Sequence, residues 1–153
     1  MKILIAIPVR QDEETFKLYL ESLDRLEIPD GAEVGRFFIF HNSPDLIPLV
    51  DCSYGILKTN DDYPRDTKSH VWTTKNIRNI IRMKNAIASY ALTYGYDYIF
   101  MPDSDLILHP KTLISLLAAK KDIVAEIFWT KFDPDGIPLP NCWMFDSYDG
   151  VTL

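Results

Sequence analysis

The stretch Ile3-Leu4-Ile5-Ala6-Ile7-Pro8-Val9 carries no polar side chain, and that continuity constrains the fold more than any other feature of the chain. A strand with one wet face alternates apolar and polar residues. An unbroken run suits a strand covered on both faces, as in a parallel sheet. The run is too short to span a bilayer, which needs ~20 residues. An acidic amphipathic segment follows at once, where a signal peptide would have its small-residue cleavage site. The run therefore reads as a buried first strand, with no targeting or membrane-spanning segment.

The period then changes. Phe16, Tyr19, Leu20, Leu23 and Leu26 fall at i, i+3, i+4, i+7 and i+10, one apolar face of a helix. Asp12 is placed as its N-cap, with Glu13 and Glu14 in the first turn against the helix dipole. Pro29-Asp30-Gly31 breaks the chain before a second strand, Phe37-Phe38-Ile39-Phe40, which ends in the turn formers His41-Asn42-Ser43-Pro44-Asp45. Residues 54–58 suggest a third strand and 59–72 a long polar loop. A helix is expected over 73–94, closed by Gly95. A fourth strand over 97–101 leads into Pro102-Asp103-Ser104-Asp105. A short helix over 111–120 is opened by Pro110. A fifth strand is expected over 122–129 and a last one over 142–145. Alternating strands and helices with right-handed crossovers imply an α/β fold: three α/β/α layers around an open, mostly parallel sheet. Ligands in such sheets bind beyond the carboxyl ends of the strands. The clusters 8–13, 41–45 and 103–105 fall at those ends and can line one cleft.

With 153 residues, 47% hydrophobic and 25% charged, the chain is expected to form a single domain with a real core. A net charge of −6 argues against nucleic acid as a partner, since phosphate neutralisation needs a basic face. Cys52 and Cys142 are too few and too far apart for a disulfide scaffold or a cysteine zinc site, and fit a reducing cytoplasm.

The charge is unevenly spread. Residues 65–84 hold Arg65, Lys68, Lys75, Arg78, Arg82 and Lys84 against Asp66, a +5 window that leaves −11 for the rest. On the helix over 73–94 an apolar stripe of Ile77, Ile80, Ile81, Ile87, Ala88 and Ala91 puts Lys84 at its centre, facing the sheet. A lysine there must either snorkel or meet an anion. Arg78 and Arg82 point away. Asp103 and Asp105, two residues apart at a strand end, repel each other. A hard divalent cation such as Mg²⁺ or Mn²⁺ relieves that repulsion and leaves coordination positions for water and phosphate oxygens. The ordinary reading of the pair is a turn with a capping aspartate. Its position at the sheet's ligand edge favours the metal-bound diphosphate.

At this point the chain resembles the GT-A fold of nucleotide-sugar-dependent glycosyltransferases, most like the large family 2 type. Ile3 to Glu14 looks like the family's opening strand. Arg82-Met83-Lys84-Asn85-Ala86 is similar to its Ala-Arg-Asn segment. Tyr96 to Asp105 looks like the strand delivering its Asp-x-Asp, and Leu108 to Leu113 like the start of the next helix. The resemblance implies that Asp103 and Asp105 hold a divalent metal and the diphosphate and ribose of a UDP- or GDP-sugar, with Ser104 between them. It implies that Pro8, Val9, Arg10 and Glu13 border the nucleoside, and that Asn42, Ser43 and Asp45 form a second nucleoside-binding turn. Lys84 stands where the family commonly has Arg, keeping the charge but losing bidentate contact.

An inverting transferase also needs a general base. Only 48 residues follow Asp105, and Asp133, Asp135, Asp146 and Asp149, beyond the expected fifth strand, are the candidates for that role. None is assigned as the base. The expectation is one donor-binding domain over 1–153 whose acceptor half is short or absent. His41 is either a base contact or a turn residue, and His109 caps a helix start. His70 and Trp72 form a lid or a surface loop. Trp129, Phe132 and Trp143 form an acceptor platform or part of the core. Two other classes compete: a non-catalytic nucleotide-sugar-binding module, and a haloacid dehalogenase-like phosphatase, whose Asp-x-Asp usually sits on the first strand. Sugar-nucleotide pyrophosphorylases open with a Gly-rich loop that Pro8-Val9-Arg10 lacks.

Overall fold

The computed structural model describes residues 1–60, 73–127, 129–131 and 135–140. The apolar run forms β1 (Lys2–Val9), with every residue from Ile3 to Ile7 buried. Helix α1 (Glu13–Asp24) follows, capped by Asp12, whose carboxylate accepts from the backbone N–H of Thr15 at 2.8 Å and from its hydroxyl at 2.9 Å. Then come β2 (Glu33–His41), a 3-10 turn (Pro44–Leu49) and β3 (Ser53–Leu57). Beyond the undescribed stretch lie α2 (Thr74–Thr93), β4 (Tyr98–Phe100) and α3 (Thr112–Ala118).

The four strands form one parallel sheet in the order β3-β2-β1-β4. Helices cover both faces, giving the three-layer α/β/α architecture. On one side, Phe16, Tyr19 and Leu23 of α1 pack on Ile5, Ile7, Val9, Phe38 and Phe40. On the other, Met83, Ile87 and Ala91 of α2 pack on Leu4, Ala6, Phe37 and Ile39. Alternate residues of β1 and β2 thus feed two cores, which is why neither strand shows a polar face. β2 begins four residues before its aromatic run because Glu33 to Arg36 complete the register with β1, from Lys2↔Glu33 onward. Arg36 also pairs with Asp24 at 2.7 Å.

Three expectations change. The buried face of α2 is Asn76, Asn79, Met83, Ile87 and Ala91, whereas Ile77 and Ile81 are about half exposed, at 46% and 51%. At about 100° per residue, Lys84 then lies about 80° from the centre of that face, on its flank. Pro110 precedes α3, since Lys111 holds the cap position. Residues 122–127 form no strand. The only further pairing among the described residues is a two-residue antiparallel ladder between β5 (Trp129–Thr130) and β6 (Leu139–Pro140). The apolar, β-branched composition of 122–129 signals strand propensity, but a ladder also needs a neighbour. Position 128 and the expected last strand over 142–145 lie outside the described residues, as do 61–72.

Candidate functional site

Because all four main strands are parallel, their carboxyl ends share one edge of the sheet. A cleft of about 210 Å³ opens there. β1 contributes Pro8 and Val9 and the residues that follow it, Arg10 and Gln11. β2 contributes its last residue, His41. The first half of α2 supplies Asn76, Ile80, Met83 and Lys84. The loop after β4 supplies Asp103, Ser104 and Asp105, around which the backbone N–H of Leu106 closes a turn onto the Asp103 carbonyl at 3.3 Å.

Of the residues expected at the site, the cleft gathers Pro8, Val9, Arg10, Lys84, Asp103, Ser104 and Asp105. Four others do not line it. Glu13 is exposed on the first turn of α1 and pairs with Lys17 at 2.6 Å. Asp45 is exposed in the 3-10 turn. Ser43 is buried, its hydroxyl donating to the His41 carbonyl at 3.2 Å. Asn42 is committed to a clamp. Its amide donates to the Thr59 carbonyl at 2.9 Å and to the Thr59 hydroxyl at 3.2 Å, and it accepts from the Thr59 N–H at 2.9 Å. Asn42 has φ +51°, a left-handed conformation that asparagine tolerates better than most residues. The turn after β2 thus presents His41 to the cleft and uses its neighbours as scaffold. The His41 Nε2 lies 2.9 Å from the Thr59 hydroxyl, which fixes the ring.

Gln11, Asn76, Ile80 and Met83 were not singled out as site residues from the sequence. For Asn76 a signal was there: an asparagine seven residues before Met83 lies on the same helical face, in the turn nearest the strand ends.

The electrostatics agree with the sequence expectation for the aspartate pair. Loss of water around the Asp103 carboxylate and the like charge of Asp105 push its pKa above the ordinary carboxylate value, while Lys84 pulls it down. Lys84 itself is exposed, so the choice between snorkelling and burial against an anion does not arise. It lines the same cleft as the aspartate pair and acts on Asp103 through its charge. Among the described residues no group of three or more His, Cys, Asp or Glu side chains is gathered for a metal. Asp103 and Asp105 are the carboxylates among the described residues that line the cleft, and their mutual repulsion fits them to share a cation that takes further ligands from outside the protein. No described helix is long and apolar enough to cross a membrane.

No family model matches the chain. No solved structure matches it. Among curated proteins it is similar to one named "Glycosyltransferase 25 family member" from Drosophila pseudoobscura pseudoobscura, with 23% identity over 139 residues. The match takes in 82% of this chain and 22% of the relative, so the chain spans less than a quarter of that protein's length. The relative's name supports a glycosyltransferase, but not the family 2 type in particular.

Proposed function

We propose that the cleft is the donor site of a glycosyltransferase, holding the nucleoside diphosphate of a UDP- or GDP-sugar with Mn²⁺ or Mg²⁺. The observation that carries this reading is the meeting of Asp103, Asp105, Lys84 and Arg10 in one cleft at the carboxyl ends of β1 and β4. The similarity to a named glycosyltransferase supports it. Asp103 and Asp105 would hold the cation, which supplies charge stabilisation to the departing diphosphate.

In glycosyl transfer an acceptor oxygen bonds to the anomeric carbon as the bond from that carbon to the diphosphate breaks. Negative charge then builds on the diphosphate. Lys84 and Arg10 offer positive charge where that develops. The apolar walls formed by Pro8, Val9, Ile80 and Met83 limit water around the ligand and strengthen these interactions. The phosphatase reading loses ground because the Asp-x-Asp follows β4 and not the first strand.

Calorimetric titration with UDP and GDP in the presence of Mn²⁺ tests the proposal. The wild-type chain should bind at least one of them only with the metal, and Asp105→Ala should abolish that binding. Metal-independent binding, or unchanged binding by Asp105→Ala, overturns the assignment.

A further inference from the structure

We infer that the groove beside β4 is an interface at which a second copy of this chain docks about a two-fold axis. The inference goes beyond the donor reading and does not depend on it. β4 pairs with β1 alone among the described residues, so its outer edge presents unpaired backbone groups, a template for another chain. A groove of about 1040 Å³ runs beside β4, walled also by α3 and by residues 120–127. Six large apolar residues of this groove, Tyr98, Ile99, Met101, Ile107, Ile123 and Ile127, are between 38% and 93% exposed. At about 200 Å² for a fully bared residue of this size, that is roughly 700 Å² of surface per chain. Each partner in a standard interface contributes ~800 Å². Scattered exposed apolar residues need no partner, but a contiguous patch of this extent marks an interaction site.

The charges on the 120–127 wall decide which partner fits. Lys120, Lys121, Asp122 and Glu126 are all exposed there, and none forms an ion pair among the described residues. The basic pair opens the segment and Glu126 stands near its end. Two such segments laid antiparallel set the basic end of each beside the acidic end of its mate. The surface is therefore complementary to itself, as a two-fold interface requires. The local sequence agrees. Ile123, Val124 and Ile127 favour a strand, yet no described residue pairs with 122–127 as a ladder. A second copy of the segment supplies that neighbour. With Ile123 on the axis against the partner's Ile123, Lys120 stands opposite the partner's Glu126. Ile123 is the barest large apolar residue among those described, at 93%, and the centre of an interface is where a buried side chain contributes most.

Sedimentation velocity of the full chain over a range of concentrations tests the interface. The wild type should form a dimer with a dissociation constant of about 10 µM or tighter. Ile123→Lys alters a residue already in water, so circular dichroism should show an unchanged fold while the dimer weakens by about tenfold or more. Lys120→Glu and Glu126→Lys, each alone, set like charges against each other across the axis and should weaken it by a similar factor. Mixed in equal amounts, those two variants should pair with each other about as tightly as the wild type pairs with itself, because each then carries one sign of charge along the segment. A merely structural role for either residue gives no such recovery. A wild type that stays monomeric at about 100 µM overturns the inference. So does a dimer that Ile123→Lys or the two charge variants leave intact, or a failure of the mixed variants to associate. Open filaments in place of a closed dimer overturn the two-fold axis.

Discussion

Asp103 concentrates the tension of the site in one side chain. Its carboxylate is held above the usual pKa by lost hydration and by Asp105, against the pull of Lys84. The folded protein therefore binds this proton more tightly than the unfolded chain, where an aspartate titrates near ~3.9. Stability linked to that proton is fully present below the unfolded value and is lost as pH rises through the folded one. At neutral pH without a cation, Asp103 thus costs stability. Asp103→Asn should melt at a higher temperature than wild type in EDTA at pH 7, and the gap should close near pH 3. Thermal unfolding followed by circular dichroism at the two pH values checks this. An equal or lower melting temperature at pH 7 would show that the aspartate pair carries no strain.

Among the elements, the turn after β2 has the most demanding local geometry. Asn42 combines a positive φ with three hydrogen bonds to Thr59. Asn42→Gly keeps the backbone conformation and loses the clamp, whereas Asn42→Ala loses both. The alanine variant should be less stable than the glycine variant by about 1 kcal/mol, as read from urea denaturation midpoints, and both should fall below wild type. Equal stabilities would mean that the left-handed backbone costs alanine nothing there.

Other elements show what the sequence could and could not tell. β1 and the Asp12 cap were legible, because an unbroken apolar run and an N-cap followed by acids are local signals. The facing of α2 was not. Counting isoleucines put Ile77 and Ile81 on the core side, but the helix turns two asparagines, Asn76 and Asn79, inward instead. Buried polar residues are chosen by what they meet in three dimensions, and hydrophobic periodicity has no term for that. Lys84 was read as central for the same reason, although its nearness to the aspartates survives the rotation. The cluster at the strand ends was legible from topology alone, since parallel strands bring their carboxyl ends together. The division of labour within 41–45 was not, because it depends on Thr59, a residue with no distinguishing neighbours in sequence.

Across the whole molecule, the sheet order has a consequence in time. β1 is the first strand in the chain, yet its two neighbours are β2 and β4, and the latter pairs Ile3 with Tyr98. The backbone N–H of Lys2 reaches the Asp97 carboxylate at 2.7 Å, a contact 95 residues apart in sequence. Closing such a loop costs entropy before any pairing is gained. Folding dominated by distant pairings is slow. Refolding from urea should therefore take about milliseconds to seconds, measured by stopped-flow circular dichroism, and a microsecond phase accounting for the whole signal would contradict the topology. During synthesis β1 leaves the ribosome well before β4 and must wait for nearly a hundred further residues before its second edge can be covered. For that interval it is a sticky nascent segment, and a chaperone that shields it should raise the yield of folded protein.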